Sequence, residues 1–138
     1  LFMLGPLAGD ADRLGTCHDI QAEARAQGVP VPVVLSVAWV ESRFNAEAVS
    51  RAGAVGPLQV LPKFYPGPPI VEGVAKLRRL YVKKGSWELA WCHYNAGNVC
   101  TERGRGYADK VAARLRHLDS IVPGGLPPAY LLPPRTLP

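Results

Sequence analysis

A chain of 138 residues is long enough for one domain with its own core, without metal or disulfide staples. A hydrophobic fraction of 48% excludes disorder over most of the length, and no stretch approaches the ~20 consecutive apolar residues of a membrane-spanning helix. The formal charge of +5 and pI near 9.4 suit a polyanionic partner (an acidic cell-wall polymer, anionic lipid or nucleic acid) without choosing among them.

In chain order, residues 1–13 begin apolar but short and without a basic start, which fits an N-terminal arm or the remnant of an export signal. Thr16 predicts the cap of a helix reaching about Gln27, closed by Gly28 and Pro30. Pro32 suits the first turn of a second helix that ends at Glu41 or Ser42. Residues 31–40 are almost wholly apolar, so Val34, Val37, Ala38 and Glu41 share one helical stripe. A carboxyl on a buried stripe loses hydration, its pKa rises, and near neutral pH it can donate a proton. The plainer alternative is that Glu41 opens the first exposed turn after a buried helix.

Residues 45–69, rich in Gly, Pro, Ser and Ala, read as an extended loop with one short turn at 57–60. A connection that long is often functional. Ile70, Val74, Leu77 and Tyr81 then form an apolar seam, with Glu72, Lys76, Arg79 and Lys83 on the opposite face. Gly85 breaks that helix, and Ser86 caps the next, where Trp87, Trp91 and Tyr94 share a stripe that ends at Gly97. The last helix, from about Gly106 to Leu118, carries Tyr107, Val111, Leu115 and Leu118 on one side. Residues 123–138 are proline-rich and read as a linker or an arm, leaving 14–122 as the folded domain. No run alternates as a strand.

Cys92 and Cys100 are near enough in sequence to pair, although Cys17 would equally take either partner. A metal site from Cys92, His93 and Cys100 matches no zinc spacing, and neighbours on a helix point about 100° apart, so neither metal nor cofactor is expected. His18 and His117 read as surface or half-buried histidines. Both basic clusters, at residues 76–84 and 103–116, fall on amphipathic helices, where a solvated face accounts for them.

Four segments in order carry a family resemblance. Ala38-Trp39-Val40-Glu41-Ser42-Arg43-Phe44-Asn45 is similar to the catalytic segment of soluble lytic transglycosylases, the goose-type-lysozyme-like branch of the lysozyme superfamily. Residues 50–62, with Gly56-Pro57-Leu58-Gln59 at their centre, resemble the second motif, usually built on Gly-Leu-Met-Gln. Tyr94-Asn95-Ala96-Gly97 resembles the third, and Arg105-Gly106-Tyr107 followed by Val111 the fourth. The resemblance covers roughly residues 14–120.

It implies a mostly α-helical, lysozyme-like domain with a peptidoglycan-binding cleft. The implied reaction cleaves the β-1,4 bond between N-acetylmuramic acid and N-acetylglucosamine and leaves a 1,6-anhydro end. Glu41 would serve as the single acid and base. Ser42 would hydrogen-bond near its carboxyl or a substrate acetamido group, and Gln59 would bind sugar from the loop. Tyr94 and Asn95 would line the cleft, and Tyr107 would aim its hydroxyl at Glu41. The resemblance implies peptidoglycan strands as partner, a periplasmic, extracellular or virion location, and attachment to a larger phage or envelope assembly; no nucleic acid is expected. A hydrolytic muramidase and a non-catalytic wall-binding module are the alternatives. Glu47 and Glu102 read as solvated acids. Pro57, the Cys92-His93 pair, the short Tyr94–Tyr107 connection and residues 63–66 depart from the family pattern, which bears on groove shape more than on chemistry.

Overall fold

The computed structural model describes residues 9–126 together with the backbone of residues 3 and 4. The rest of the N-terminal arm and residues 127–138 of the proline-rich tail lie outside the described residues. Element order is β1 (Met3–Leu4), α1 (Asp10–Gln27), α2 (Val31–Ser42), β2 (Val49–Ser50), α3 (Pro69–Lys84), α4 (Trp87–Ala96) and α5 (Glu102–Ile121). No helix among the described residues is long and apolar enough to cross a membrane.

α2 is apolar on every side, and a helix of that kind is stable only when surrounded. It packs between α1 and α5, while α4 packs on α3 and α5, and α1 also meets α3. Val33, Val34, Val37 and Ala38 are fully buried, and the core extends through Ile20, Leu77, Trp91, Val111 and the loop residue Leu58. The expected stripe of α2 is therefore interior along its whole length, Glu41 included.

Two helices start earlier than the sequence suggests. α1 opens at Asp10 after Gly9, with Asp10 and Asp12 in the first turn, where acids complement the helix dipole. Thr16 is instead a buried residue inside that helix. α5 opens at Glu102, because the Thr101 hydroxyl accepts the Gly104 N–H at 3.1 Å. Gly104 is a contact position rather than a breaker: a Cβ there would lie 2.8 Å from the Cβ of Ala96 and from the carbonyl oxygen of Cys92. This close approach lets α5 pack on α4.

Residues 45–68 form an irregular but closed loop. β2 pairs antiparallel with β1, Met3 opposite Ser50 and Leu4 opposite Val49, a pairing too short to leave an alternating signature. Val55 bridges to both Val49 and Val60, so the turn expected at 57–60 sits between paired residues. Gly56 has φ 81°, and a Cβ on it would come within 2.9 Å of Pro69, so the loop passes close over the start of α3. Cys92 and Cys100 are joined by a disulfide that ties the end of α4 to the entry of α5, and Cys17 is unpaired. The beginning of the tail folds back: Leu126 donates its N–H to Asp119 Oδ1 at 2.7 Å and packs against the core.

Candidate active site

Glu41 lies in the last turn of α2 and is only 6% exposed. The helix stops directly after it through two non-glycine residues in the left-handed region, Arg43 at φ 54° and Phe44 at φ 63°. Each costs on the order of 1 kcal/mol or more and persists only where neighbours enforce it. Here the Arg43 N–H bonds the Trp39 carbonyl, and the Phe44 ring packs 5.8 Å from the Trp39 ring. The reversal turns the chain inward to Asn45, which is 2% exposed, and begins the loop that runs beside Glu41.

Ser42, Gln59 and Tyr94 hold this loop. The Ser42 hydroxyl donates to the Pro57 carbonyl at 2.8 Å and lies 3.2 Å from that of Ala38. Gln59, itself at φ 53°, donates its side-chain amide to the carbonyls of Ala48 and Gly56 at 3.1 and 2.9 Å. The Tyr94 hydroxyl donates to the Leu58 carbonyl at 2.5 Å. Each side chain satisfies a loop carbonyl that has no regular secondary structure to pair with, as buried polar groups require. Of the five expected contacts, Asn95 is exposed and Tyr107 buried, and both line the adjoining groove.

Burial pushes the Glu41 carboxyl up from its ordinary 4.5 to about 7, against the opposing pull of Tyr107 and the positive charge of Lys76. Burial, reinforced by the Glu41 charge, also holds Tyr94 and Tyr107 well above the usual phenol value. The Tyr107 hydroxyl is close enough to interact with the carboxyl, yet it completes no full hydrogen bond among the described residues.

Lys76 is the residue that periodicity misplaced. It was expected on the outer face of α3, but its ammonium donates to the Tyr94 carbonyl at 3.0 Å and lies 4.2 and 5.2 Å from the rings of Tyr94 and Tyr65. Burial lowers its pKa, and the Glu41 charge opposes that shift. The seat is made from three separate segments, so no local pattern announces it.

A groove of about 900 Å³ lies between α2, α5 and the β2 turn, lined by Trp39, Arg43, Arg51, Asn95, Arg103, Tyr107, Lys110 and Arg114 among others; Glu41 is not among these residues, but Tyr107, which interacts with its carboxyl, is. No acidic side chain lines it. Glu47 and Glu102 are both exposed, the one in the loop and the other in the first turn of α5. A smaller cavity of about 490 Å³ adjoins Lys76, Tyr65 and His93. Among the described residues no cluster of His, Cys, Asp and Glu could hold a metal ion, and the disulfide removes Cys92 and Cys100 as thiolate ligands.

Residues 18–67, from α1 through Glu41 and the loop, match the family model of the transglycosylase SLT domain. The third and fourth motif segments, at 94–97 and 105–111, lie beyond that match. No curated protein matches the chain. The X-ray structure of an inactive glutamate-to-glutamine mutant of the lytic transglycosylase Slt from Pseudomonas aeruginosa is similar, with a TM-score of 0.63 and 18% identity. That similarity covers 88% of this chain and 25% of that one, so this chain spans about a quarter of the length of Slt. Residues 18–67 are thus similar to the transglycosylase SLT domain, and the chain shares the mostly α-helical fold of Slt.

Proposed function

We propose that this domain is a peptidoglycan lytic transglycosylase that cleaves the β-1,4 bond between N-acetylmuramic acid and N-acetylglucosamine, with Glu41 as its one acid and base. The observation that carries the reading is a single buried carboxyl, raised to about 7 and interacting with Tyr107, a residue of a groove along which no acid lies. Glycosidases that use two carboxylates need the second within about 5–10 Å. Reaction through the substrate's own groups needs only one.

Protonated Glu41 gives its proton to the bridging oxygen as the bond to the anomeric carbon breaks, and the substrate's acetamido group assists. The resulting carboxylate accepts the proton of the muramic acid C6 hydroxyl while that oxygen attacks the anomeric carbon. The product is a 1,6-anhydro end, and Glu41 returns to its protonated state. Tyr107 would orient the carboxyl, and Asn95 would meet the sugar in the groove. Ser42, Gln59 and Tyr94 would act by fixing the loop against which the glycan lies. The inactive form of Slt replaces a glutamate by glutamine, which fits chemistry that depends on one carboxyl.

The Cys92–Cys100 disulfide supports an oxidising setting, periplasmic, extracellular or within a virion. Residues 123–138 would attach the domain to a larger phage or envelope assembly; unchanged targeting after their removal would reject that part. Mass spectrometry of digested sacculi tests the reaction itself. Anhydro-muropeptides are expected from the parent and none from Glu41→Gln. Reducing ends in their place would make the enzyme a hydrolytic muramidase.

A further inference from the structure

Three departures of this chain from the family pattern converge on the smaller cavity. Tyr65 of the unusual stretch 63–66 lines it, as do His93 and, from the short connection after α4, Gly97 and Asn98. Across from them α3 contributes Lys76, Arg79, Lys83 and Lys84, and no acidic residue lines the cavity. Counted from Lys76, the other three lie three, seven and eight residues on, so all four cations share one face of the helix. The helix dipole accounts for Lys83 and Lys84 in the last turn, but its influence has faded by Arg79 and Lys76. A solvated face does not account for Lys76 either. Its ammonium is half-buried beside the rings of Tyr65 and Tyr94, and only one of its three N–H donors goes to the Tyr94 carbonyl. Burial and the nearby Arg79 charge both disfavour its charged form, so an anion in the cavity would relieve a cost that the helix otherwise bears. His93, itself buried, holds Nδ1 2.7 Å from the Gly97 carbonyl oxygen. A carbonyl only accepts, so Nδ1 carries the hydrogen and Nε2 is the ring nitrogen left for a ligand.

We propose that the cavity formed by α3, Tyr65 and His93 is a phosphate site, taking either a phosphate monoester on an amino sugar or the free ion. A phosphate brings about −1.5 to −2 charges and three acceptor oxygens that point to different sides, which suits separate ammonium groups acting as point charges. A carboxylate brings one charge and two coplanar oxygens, a better match for a single guanidinium fork. His93 Nε2 accepts from a P–OH or, once protonated, donates to a P–O⁻; a sulfate offers only the second pairing. A volume of about 490 Å³ admits one phosphorylated sugar and is too confined for a nucleic-acid duplex. The site does not depend on the reaction proposed above. It lies beside that reaction nonetheless, because Lys76 belongs to the cavity and also acts on Glu41.

Calorimetric titration of the whole chain at fixed ionic strength tests this, with inorganic phosphate, N-acetylglucosamine 6-phosphate, N-acetylglucosamine and sulfate as probes. The Cε1–H resonance of His93 reports where they bind. Both phosphates are expected to bind and to move that resonance, with sulfate and the unphosphorylated sugar weaker by about ten-fold or more. Arg79→Gln should weaken phosphate binding about ten-fold. Arg116→Gln removes the same charge from an exposed position that lines neither cavity, and should leave binding unchanged. Should Arg79→Gln fail to fold, Lys83→Gln is read in its place, with the same loss expected. Tighter binding of the sugar phosphate than of inorganic phosphate would assign the site to a phosphorylated sugar; equal or weaker binding would assign it to the ion itself. The proposal is overturned if neither phosphate binds, if sulfate binds equally well, or if binding leaves His93 unmoved. Equal losses in Arg79→Gln and Arg116→Gln would also overturn it, because they would mark attraction by overall charge.

Discussion

Burial gives Glu41 two properties that pull in opposite directions, a proton available for donation near neutral pH and a cost to the fold once that proton leaves. Between its ordinary 4.5 and about 7, folded Glu41 keeps a proton that the unfolded chain has already released. Linkage then lowers stability as pH rises through that window, by up to about 3 kcal/mol above it. Glutamine carries no such cost. Urea unfolding should therefore show the stability of Glu41→Gln relative to the parent rising by up to about 3 kcal/mol between about pH 4 and pH 8. In turnover the same variant should lose about 10²-fold or more. A flat stability difference across that range would mean the carboxyl is not desolvated. Tyr107 gives an independent check, because its interaction lowers the Glu41 pKa. Tyr107→Phe should raise that pKa, so the alkaline limb of the kcat profile, near 7 in the parent, should move to higher pH as kcat falls. A limb that stayed in place would separate Tyr107 from the proton-donating group. Lys76 also lowers the Glu41 pKa, and nothing in its local sequence marks it. Spacing along α3 counts Lys76 as an outer residue, while Tyr65 and Tyr94 cover it from elsewhere in the chain.

Periodicity made α2 readable, because an element buried on all sides leaves an apolar run, broken only by Ser36, that ends at a buried carboxyl. The seams of α3 and α4 were equally legible, as were the Ser86 cap and the Gly85 stop, which follow from local backbone chemistry alone. The starts of α1 and α5 were not. Thr16 has the chemistry of a cap but lies inside a helix begun by acids, and the last helix was expected only from about Gly106, although Gly104 already lies within it, where two helices touch. Of the candidate site, the buried place of Glu41 was legible from its own stripe, whereas the bonds of Ser42, Gln59 and Tyr94 to loop carbonyls were not. That difference depends on where the loop lies relative to α3. Gly73 fixes the distance: a Cβ there would come within 2.6 Å of Leu58 Cβ and Cδ1, and Leu58 is fully buried. Gly73→Ala should raise helix propensity yet destabilise by about 1–3 kcal/mol, because the overpacked loop must shift. Activity should fall further than that loss explains under conditions where the variant stays folded, since the Leu58 carbonyl is the anchor of Tyr94. An alanine variant of parental stability and rate would show that loop and helix are not in tight register.

At the scale of the molecule, the carboxyl is enclosed by α2, α4, α5 and the loop, and two of those walls meet at one covalent link. Tyr94 and Asn95 sit at the end of α4, Tyr107 near the start of α5, and the Cys92–Cys100 bond spans the short connection between them. A cross-link over a separation of 8 residues removes enough freedom from the unfolded chain to contribute about 2–3 kcal/mol. That is a sizeable part of the 5–15 kcal/mol that holds a typical domain. The double variant Cys92→Ala, Cys100→Ala should therefore unfold at lower urea concentration, and dithiothreitol should bring the parent to nearly the same midpoint while leaving the variant unmoved. Because Cys92 is buried against Gly104, the α4–α5 contact keeps its glycine-mediated packing without the bond. Folded variant should thus keep the Glu41-dependent reaction but bind glycan less tightly, with KM rising more than kcat falls as Asn95 and the α5 side of the groove lose their tether. If the parent's midpoint were indifferent to reductant, the packing of α5 on α4 alone would be what closes this wall.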